Sequence, residues 1–264
     1  MTYKLDGIDI SIWGAVPYVD NAQECIAISG LFDLPKRKGT IEYNWGTSVE
    51  PFVDEDDIEL DGRTLTLKVC IKGSSSSDYL KKLNDYKLAC ISCRNLWTEF
   101  GEFGVVMKDV LDVEEYYEYC MAIVTTKFWQ QDFILSKLLT LPSGGSDSLL
   151  DGYSMARDFG IYIASRKDDK SISKRIEVST TSPYTQMLYR EPRDITFTCT
   201  MIGDDLQSLY SKITQFQALC MRSGLRTLKL SETESFDLYF KDGMVVKPTL
   251  ETLLKFDLKC RVVI

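Results

Sequence analysis

Apolar residues recur at helical spacing in two stretches of this chain that lie 130 residues apart. Each stretch has four of them at positions i, i+4, i+7 and i+11, which form one stripe along a helix of 3.6 residues per turn. The two sets are Tyr79, Leu83, Tyr86 and Cys90, and Leu209, Ile213, Phe216 and Cys220. Residues suited to helix N-caps precede both sets, at Ser74–Ser77 and Asp204–Asp205. The pattern predicts two helices that bury the same face.

A strand with period-two alternation precedes each predicted helix at the same separation. Its inward residues are Leu65, Leu67, Val69 and Ile71 in the first copy, and Ile195, Phe197, Cys199 and Met201 in the second. Gly73 and Gly203 follow the two strands, and Cys90 and Cys220 end the two stripes. Both pairs are 130 residues apart, so the two copies align from glycine to cysteine without an insertion or deletion. The repeated strand, glycine and helix indicate one structural unit that is used twice.

A second motif repeats at the opening of each half. The tripeptide Leu-Asp-Gly occupies residues 5–7 and 150–152, and an aromatic residue with a glycine follows at 13–14 and 159–160. This alignment requires a one-residue insertion or deletion between the copies. Ile8, Ile10 and Ile12 alternate with polar residues, so we predict an Asp-Gly turn into a half-buried strand.

Two segments are too poor in apolar residues to be central core strands. Residues 35–52 predict an extended hairpin or arm, and residues 175–187 are its expected partner, with an alternating strand and a Ser-Pro turn. Exposed aromatic and apolar side chains on such arms are candidates for contact with a neighbouring subunit. The candidates are Tyr43, Trp45, Val49, Phe52 and Tyr184. Packing of Trp45 on its own domain is an equally open alternative.

The strands after each helix are the least repetitive part of the chain. We expect them at 103–113 and 116–126 in the first copy, and at 225–230, 236–240, 244–246 and 253–263 in the second. The final strands align by matching Tyr117, Tyr119, Met121 and Ile123 with Phe256, Leu258, Cys260 and Val262. This offset of 139 keeps the apolar residues on one face, whereas pairing Cys120 with Cys260 would reverse it.

Together the elements predict a mainly β (α+β) protein of two tandem β-sandwich or split-barrel units, each with one packed helix. The first unit spans 1–135 and the second 150–264. Residues 136–149 contain a proline and a Gly-Gly pair and are the predicted linker. The strands and helices do not alternate, which argues against a Rossmann or barrel enzyme fold.

The amino-acid composition limits the kinds of binding and catalytic site that the chain can contain. The 264 residues carry a net charge of −8 without a basic run, which argues against tight nucleic-acid binding. The chain has no histidine, so Ser–His–Asp, Cys–His and HExxH sites are excluded. Most of the eight cysteines lie in apolar patterns, and Cys90 with Cys93 forms a lone CxxC, so we expect buried thiols and neither metal nor cofactor. No signal peptide or membrane-spanning run is evident, so we expect synthesis in the cytoplasm and no membrane contact.

This layout resembles the tail-tube superfamily of tailed bacteriophages, which includes tube proteins, distal tail adaptors and baseplate hubs. The opening LDGIDIS-x-WG, residues 5–14, looks like the first strand of distal tail proteins, which often begin x-G-x-D-x-S. The resemblance implies tail-tube-like units, six of which form a ring around the DNA channel. Hub proteins carry two units per chain, so three chains make a pseudo-sixfold ring. The second half departs from distal tail proteins because it resembles another tube unit and not a carbohydrate-binding-like domain.

The resemblance implies a structural virion protein of a phage tail, assembled in the host bacterial cytoplasm, and not an enzyme. The implied partners are further copies of the chain, as a trimer or hexamer, and other tail proteins such as tube and baseplate components. DNA would pass through the ring without specific binding, because an acidic wall repels phosphates. The acidic run at 53–60 supplies the candidates for that wall, Asp54, Glu55, Asp56 and Asp57. An ordinary solvated surface is the alternative reading of this run.

Two other functions remain open at this point. A tandem β-sandwich binding module would recognise carbohydrate or another protein, with aromatic platforms at Trp13, Trp45, Trp97 and Trp129. An enzyme would instead use paired carboxylates, as glycosidases do. The acids that would serve are Asp54, Asp56, Glu114 and Glu115.

Overall fold

The computed structural model describes a mainly β protein with a small helical part, in agreement with the predicted fold class. Side chains are described for residues 2–19, 25–38, 58–169, 193–240 and 242–263, and the backbone alone for 42–44, 49–51, 174–178 and 185–189. Every strand pairing among these residues is antiparallel.

The described elements follow a similar order in the two halves, with eleven strands and one α-helix in the first and ten strands and two α-helices in the second. The first half contains β1 (Lys4–Leu5), β2 (Ile8–Asp9), β3 (Ala15–Pro17), β4 (Ile28–Ser29), β5 (Glu42–Asn44), β6 (Val49–Pro51), β7 (Arg63–Lys72), α1 (Ser76–Ser92), β8 (Asn95–Thr98), β9 (Gly101–Gly104), β10 (Val106–Tyr116) and β11 (Met121–Gln130). The second half contains β12 (Leu149–Leu150), β13 (Tyr153–Ser154), α2 (Met155–Phe159), β14 (Ile161–Asp169), β15 (Lys174–Val178), β16 (Thr185–Tyr189), β17 (Arg193–Ile202), α3 (Leu206–Cys220), β18 (Arg226–Lys229), β19 (Ser235–Tyr239), β20 (Val246–Leu250) and β21 (Leu253–Val262).

The sheets are divided in the first half and joined in the second. The first half has a four-stranded sheet, β2-β1-β8-β9, and a five-stranded sheet, β10-β11-β7-β3, in which β4 also pairs with β7. The second half has one eight-stranded sheet, β13-β12-β18-β19-β21-β17-β14, with β20 added on β21. The sheet is continuous there because β19 pairs with both β18 and β21, through Leu238 opposite Val262.

The predicted central strand and helix are confirmed in both halves at the offset of 130. β7 and β17 begin and end 130 residues apart, and the predicted apolar stripes of α1 and α3 are buried. Ser75 caps α1 by accepting a hydrogen bond from Asp78 N at 3.2 Å, and Asp205 caps α3 by accepting one from Ser208 N at 2.7 Å. Local cap chemistry and periodicity therefore set this unit twice.

Each helix also packs on the short helical turn near the start of its half through an edge-to-face aromatic pair. The ring centroids of Trp13 and Tyr86 lie 6.0 Å apart, and those of Phe159 and Phe216 lie 5.4 Å apart. Both pairs join equivalent positions of the two halves. Edge-to-face geometry is a favoured arrangement of aromatic rings, so these pairs fix each opening turn on its helix.

The opening strand is shorter than predicted. It ends at Asp9, whose carboxylate accepts a hydrogen bond from Ser11 N at 2.9 Å and caps a 3₁₀ turn at Ile10–Trp13. Ile12 is consequently 69% exposed and not part of an inward strand face. Ser154 caps α2 at the equivalent place, and the four-residue turn against the five-residue helix accounts for the predicted one-residue insertion.

The predicted alignment of the final strands is wrong. β11 pairs with β7 through Met121 opposite Lys72, and β21 pairs with β17 through Leu253 opposite Ile202, which gives an offset of 132 and not 139. Tyr117, in the predicted match, instead belongs to an exposed 3₁₀ turn before β11. The inward residues of β11 are Ala122, Val124, Thr126, Phe128 and Gln130. Two of these are polar, so matching the apolar residues assigns the wrong face of β11 to the core.

Candidate assembly surfaces

The two predicted arms form paired hairpins. Tyr43 lies opposite Glu50 and Asn44 opposite Val49 in the first, and β15 pairs with β16 along five residues in the second. The backbone pairing confirms the hairpin geometry, and the role of Tyr43 and Val49 at a subunit interface stays a prediction. The remaining candidates lie outside the described residues: Trp45, Phe52, Asp54, Glu55, Asp56, Asp57 and Tyr184.

The two halves contact each other through the segment 25–37 of the first half. Leu34 and Met244 exchange backbone hydrogen bonds of 2.8 and 2.9 Å in an isolated antiparallel bridge. The Asp33 carboxylate beside this bridge accepts a hydrogen bond from Val246 N at 2.7 Å. Burial raises the pKa of Asp33, and this hydrogen bond opposes the rise. The segment thus extends the first half onto the edge where β20 begins.

The second half contributes the outward face of α3 to the same contact. Gln217 Nε2 donates a hydrogen bond to the Phe32 carbonyl at 2.7 Å, and Gln217 is 1% exposed. Arg37 Nε donates to Met221 Sδ at 3.3 Å, a contact that spans the two halves. The ring of Tyr210 packs edge-on against Phe32, with centroids 5.5 Å apart. The main stripe alone does not predict this second buried face, whose sign in the sequence is the apolar residues of α3 outside that stripe.

Arg63 is buried behind this contact. Its guanidinium donates to Gln130 Oε1 at 2.8 Å and to the Leu31 carbonyl at 2.6 Å. It lies over the ring of Phe103, 5.5 Å from the centroid. Burial lowers the pKa of Arg63. With Tyr210, it lines a cavity of about 300 Å³ between the two halves.

The corresponding face of α1 is exposed. We call it the α1 outer face and define it by Leu80, Lys87, Leu88 and Ile91, which lie 130 residues before Tyr210, Gln217, Ala218 and Met221. Leu80 is 47% exposed, Leu88 65% and Ile91 56%. Ala218 and Met221, by contrast, are 9% and 1% exposed. The same helix therefore has a covered outward face in one half and an uncovered apolar one in the other.

The surroundings of Arg63 have a counterpart in the second half, and this counterpart is more exposed than they are. We call it the Arg193 end, and it comprises Arg166, Asp168, Arg193, Glu234 and Phe236. The guanidinium of Arg193 lies 5.4 Å from the centroid of Phe236, which repeats the Arg63 geometry. Hydrogen bonds from Arg193, and then from Arg166, lower the pKa of Asp168 to about 2. Arg193 is partly exposed, whereas Arg63 is buried.

The cysteines behave as packing residues. All eight are free thiols, and Cys90 and Cys93 of the CxxC are both buried. Burial raises the pKa of Cys90 to about 11 and that of Cys93 to about 12, so both thiols are held in the neutral form. Among the side chains that the structure describes, no group of three or more acidic or cysteine residues is arranged to hold a metal ion.

The remaining candidates of the alternative functions have structural contacts. Trp13 packs on Tyr86, and Trp97 and Trp129 each lie against a lysine ammonium, 4.9 and 4.7 Å from their ring centroids. Glu115 accepts a hydrogen bond from the Tyr79 hydroxyl at 2.8 Å, and Glu114 accepts one from a neighbouring tyrosine. No helix within the described ranges is both long and apolar enough to cross a membrane.

Comparisons with known proteins find similar chains among solved structures. No protein-family model matches the chain, and no curated protein matches it. Among solved structures, the chain is similar to the SPP1 Dit (gp 19.1) protein, described as a paradigm of the hub adsorption apparatus in Gram-positive infecting phages. The TM-score is 0.30 at 9% identity, over 98% of each chain.

Proposed function

We propose that this chain is a structural protein of a bacteriophage tail, in which copies form a ring around the channel for DNA. Its place in the tail would be that of a distal tail adaptor, a tube component or a baseplate hub component. The proposal divides the chain into tube-like units at 1–135 and 150–264, joined by the linker at 136–149. It assigns the chain a structural role and no catalytic activity.

The observation that carries the proposal is the contact between the halves, which joins different surfaces of two equivalent units. The first half contributes segment 25–37 and the surroundings of Arg63, whereas the second half contributes α3 and the start of β20. A contact between different surfaces of equivalent units is heterologous. Repetition of a heterologous contact produces a ring when the rotation closes and a filament when it does not. The presence of two equivalent units in one chain thus supports a ring of three or six chains.

The charge of the chain is compatible with a channel through which DNA slides. A net charge of −8 disfavours strong contacts with phosphates, which would slow the passage of DNA. The expected partners are further copies of the chain and the neighbouring tube and baseplate proteins. The expected location is the virion tail, after assembly in the cytoplasm of the host bacterium.

Light scattering with negative-stain imaging of the same sample tests the proposal. We expect a closed ring of three or six chains with a central hole wide enough for duplex DNA. A protein that is monomeric at every concentration and missing from purified virions would contradict the proposal. A monomer in solution that is present in virions would indicate assembly on a tail template.

A further inference from the structure

The outward face of α1 keeps the chemistry of the outward face of α3 but has a different environment. Leu80 and Ile91 are apolar like Tyr210 and Met221, their equivalents. Lys87 retains a hydrogen-bond donor at the position where Gln217 donates to the Phe32 carbonyl. A solvated helix face does not need apolar residues such as Leu80 and Ile91, since charged and polar residues suffice there. The α1 outer face therefore has the composition of a docking surface.

One part of the surface that faces α3, the stacked pair of Arg63 and Phe103, has a second version in the chain. Arg63 and Phe103 face Tyr210 and Gln217 across the cavity between the halves. Arg193 and Phe236 repeat the first pair in the second half, with 5.4 Å between guanidinium and ring centroid against 5.5 Å. The Arg193 end thus offers the same stacked guanidinium and aromatic ring, framed by ion pairs to Asp168 and Glu234.

We propose that the α1 outer face of one copy docks on the Arg193 end of a second copy, so that the contact between copies repeats the contact between halves. This inference rests on the proposed function, because it specifies how the ring is joined. The occupant is a second copy because this chain presents both members of the pair, each matching a member of the internal contact. An internal contact uses one face of each half and leaves the other two for neighbours.

The apolar part of the docking surface is a row of three large aliphatic side chains, each about half exposed or more. They lie along one side of the roughly three turns from Leu80 to Ile91. Burial of such side chains is a main source of association free energy, and residues near the centre of a contact contribute most. Leu80 and Ile91 match the residues that contact the first half inside the chain, so they are expected to dominate.

Lysine substitutions on α1 test the proposal with the full chain. Leu80→Lys and Ile91→Lys place a charge in the docking surface, whereas Asp85→Lys places the same side chain on another exposed side of the same helix. We expect the first two variants to shift the assembly to monomer by at least tenfold in apparent dissociation constant and Asp85→Lys to leave it unchanged. All three sites are exposed, so thermal unfolding of the monomer should change little.

A photo-crosslinking amino acid at position 80, whose equivalent Tyr210 lines the cavity with Arg63 and Phe103, identifies the occupant directly. The expected product joins this position to a peptide from residues 230–241 of another copy, which includes Phe236 and the turn between β18 and β19. A crosslink to α1 of another copy would mean a symmetric contact and would overturn the proposal.

The results separate this inference from the proposed function. If the wild-type protein forms rings and both Leu80→Lys and Ile91→Lys leave them intact, the docking surface is wrong and the ring stands. If the wild-type protein is monomeric and is missing from virions, both fail together. Loss of rings in the two variants, with Asp85→Lys unaffected, supports both.

Discussion

The outward faces of α1 and α3 are equivalent in sequence position but differ in how far they are covered. Both helices begin at an N-cap 130 residues apart and bury the same stripe. Met221 is 1% exposed on α3, whereas Ile91, at the same place on α1, is 56% exposed. The contact between the halves covers this face of α3 and leaves that of α1 exposed. In the proposed ring, the exposed face of α1 is where a neighbouring copy would bind.

The two capping glycines offer the largest test of equivalence between the halves. Gly160 has φ +73°, and a Cβ there would lie 2.3 Å from the Ile202 carbonyl oxygen; Gly14 has φ +64°, and its Cβ would lie 2.8 Å from the equivalent Lys72 oxygen. Left-handed strain and the clash together should make Gly160→Ala cost about 4 kcal/mol and Gly14→Ala about 3 kcal/mol of unfolding free energy. Urea unfolding followed by circular dichroism measures both.

Gly7 is the control for these two substitutions. It has φ +82°, but a Cβ there would meet nothing within 4 Å. Gly7→Ala should therefore show the conformational strain alone, about 1 kcal/mol. Equal losses at all three glycines would mean that the approach to the central strand does not matter.

Truncation of Met221 and Ile91 tests the difference between the faces. Met221→Ala removes a buried side chain that contacts Arg37, and should cost about 3 kcal/mol of unfolding free energy. Ile91→Ala should cost less than about 0.5 kcal/mol at dilutions where the protein is monomeric, because the side chain is exposed. Chemical denaturation at two protein concentrations provides the measurement. A large loss for Ile91→Ala in the dilute sample would mean that α1 is already covered within the chain.

The smallest expected effect concerns the hydrogen-bond partners of the two equivalent arginines, Arg63 and Arg193. Arg63 is bonded to Gln130 and to carbonyls, whereas Arg193 is bonded to the carboxylate of Asp168, whose pKa is lowered to about 2. A lowered pKa stabilises the fold above the unfolded value of about 4, and this stability is lost as the pH falls towards 2. After allowance for solvent screening, Asp168→Asn should cost about 1 kcal/mol at neutral pH.

The pH profile of Asp168→Asn carries the test. The stability gap between this variant and the wild type should close as the pH is lowered from 4 to 2, because the wild-type carboxylate then becomes protonated. Asp169→Asn is the matched control, since Asp169 forms an exposed pair with Lys167 at 3.5 Å. It should change stability by less than about 0.5 kcal/mol. A gap for Asp168→Asn that persists at pH 2 would contradict the ion-pair explanation.

Much of the local structure could be predicted from particular residues. The stripe from Tyr79 to Cys90, the Leu-Asp-Gly turns and the need for one inserted residue near Trp13 all follow from short-range spacing. The end of the first strand could not, because Ile10 and Ile12 continue the alternation while Asp9 has already capped a 3₁₀ turn. A local side-chain hydrogen bond there overrides periodicity.

The register of β11 could not be predicted for a different reason. Thr126 and Gln130 face inward as polar residues, and their partners are Cys90, with sulfur and hydroxyl oxygen 3.7 Å apart, and Arg63. These partners come from other parts of the chain, so no window around β11 reveals them. The candidate surfaces could not be predicted for the same reason. Gln217 and Lys87 are polar residues at equivalent helix positions, and only the tertiary structure shows that Gln217 donates to the Phe32 carbonyl.

The sequence by itself determined the repeated unit, since periodicity, caps and turn residues act between neighbours along the chain. Tertiary structure decided which copy of each surface is covered, because that depends on segment 25–37 reaching α3 from far away in sequence. It also decided the pairing of the last strands, where hydrogen-bond register with β7 and β17 outweighs the apolar pattern. Local chemistry specifies a unit twice, and only its packing specifies how two such units are joined.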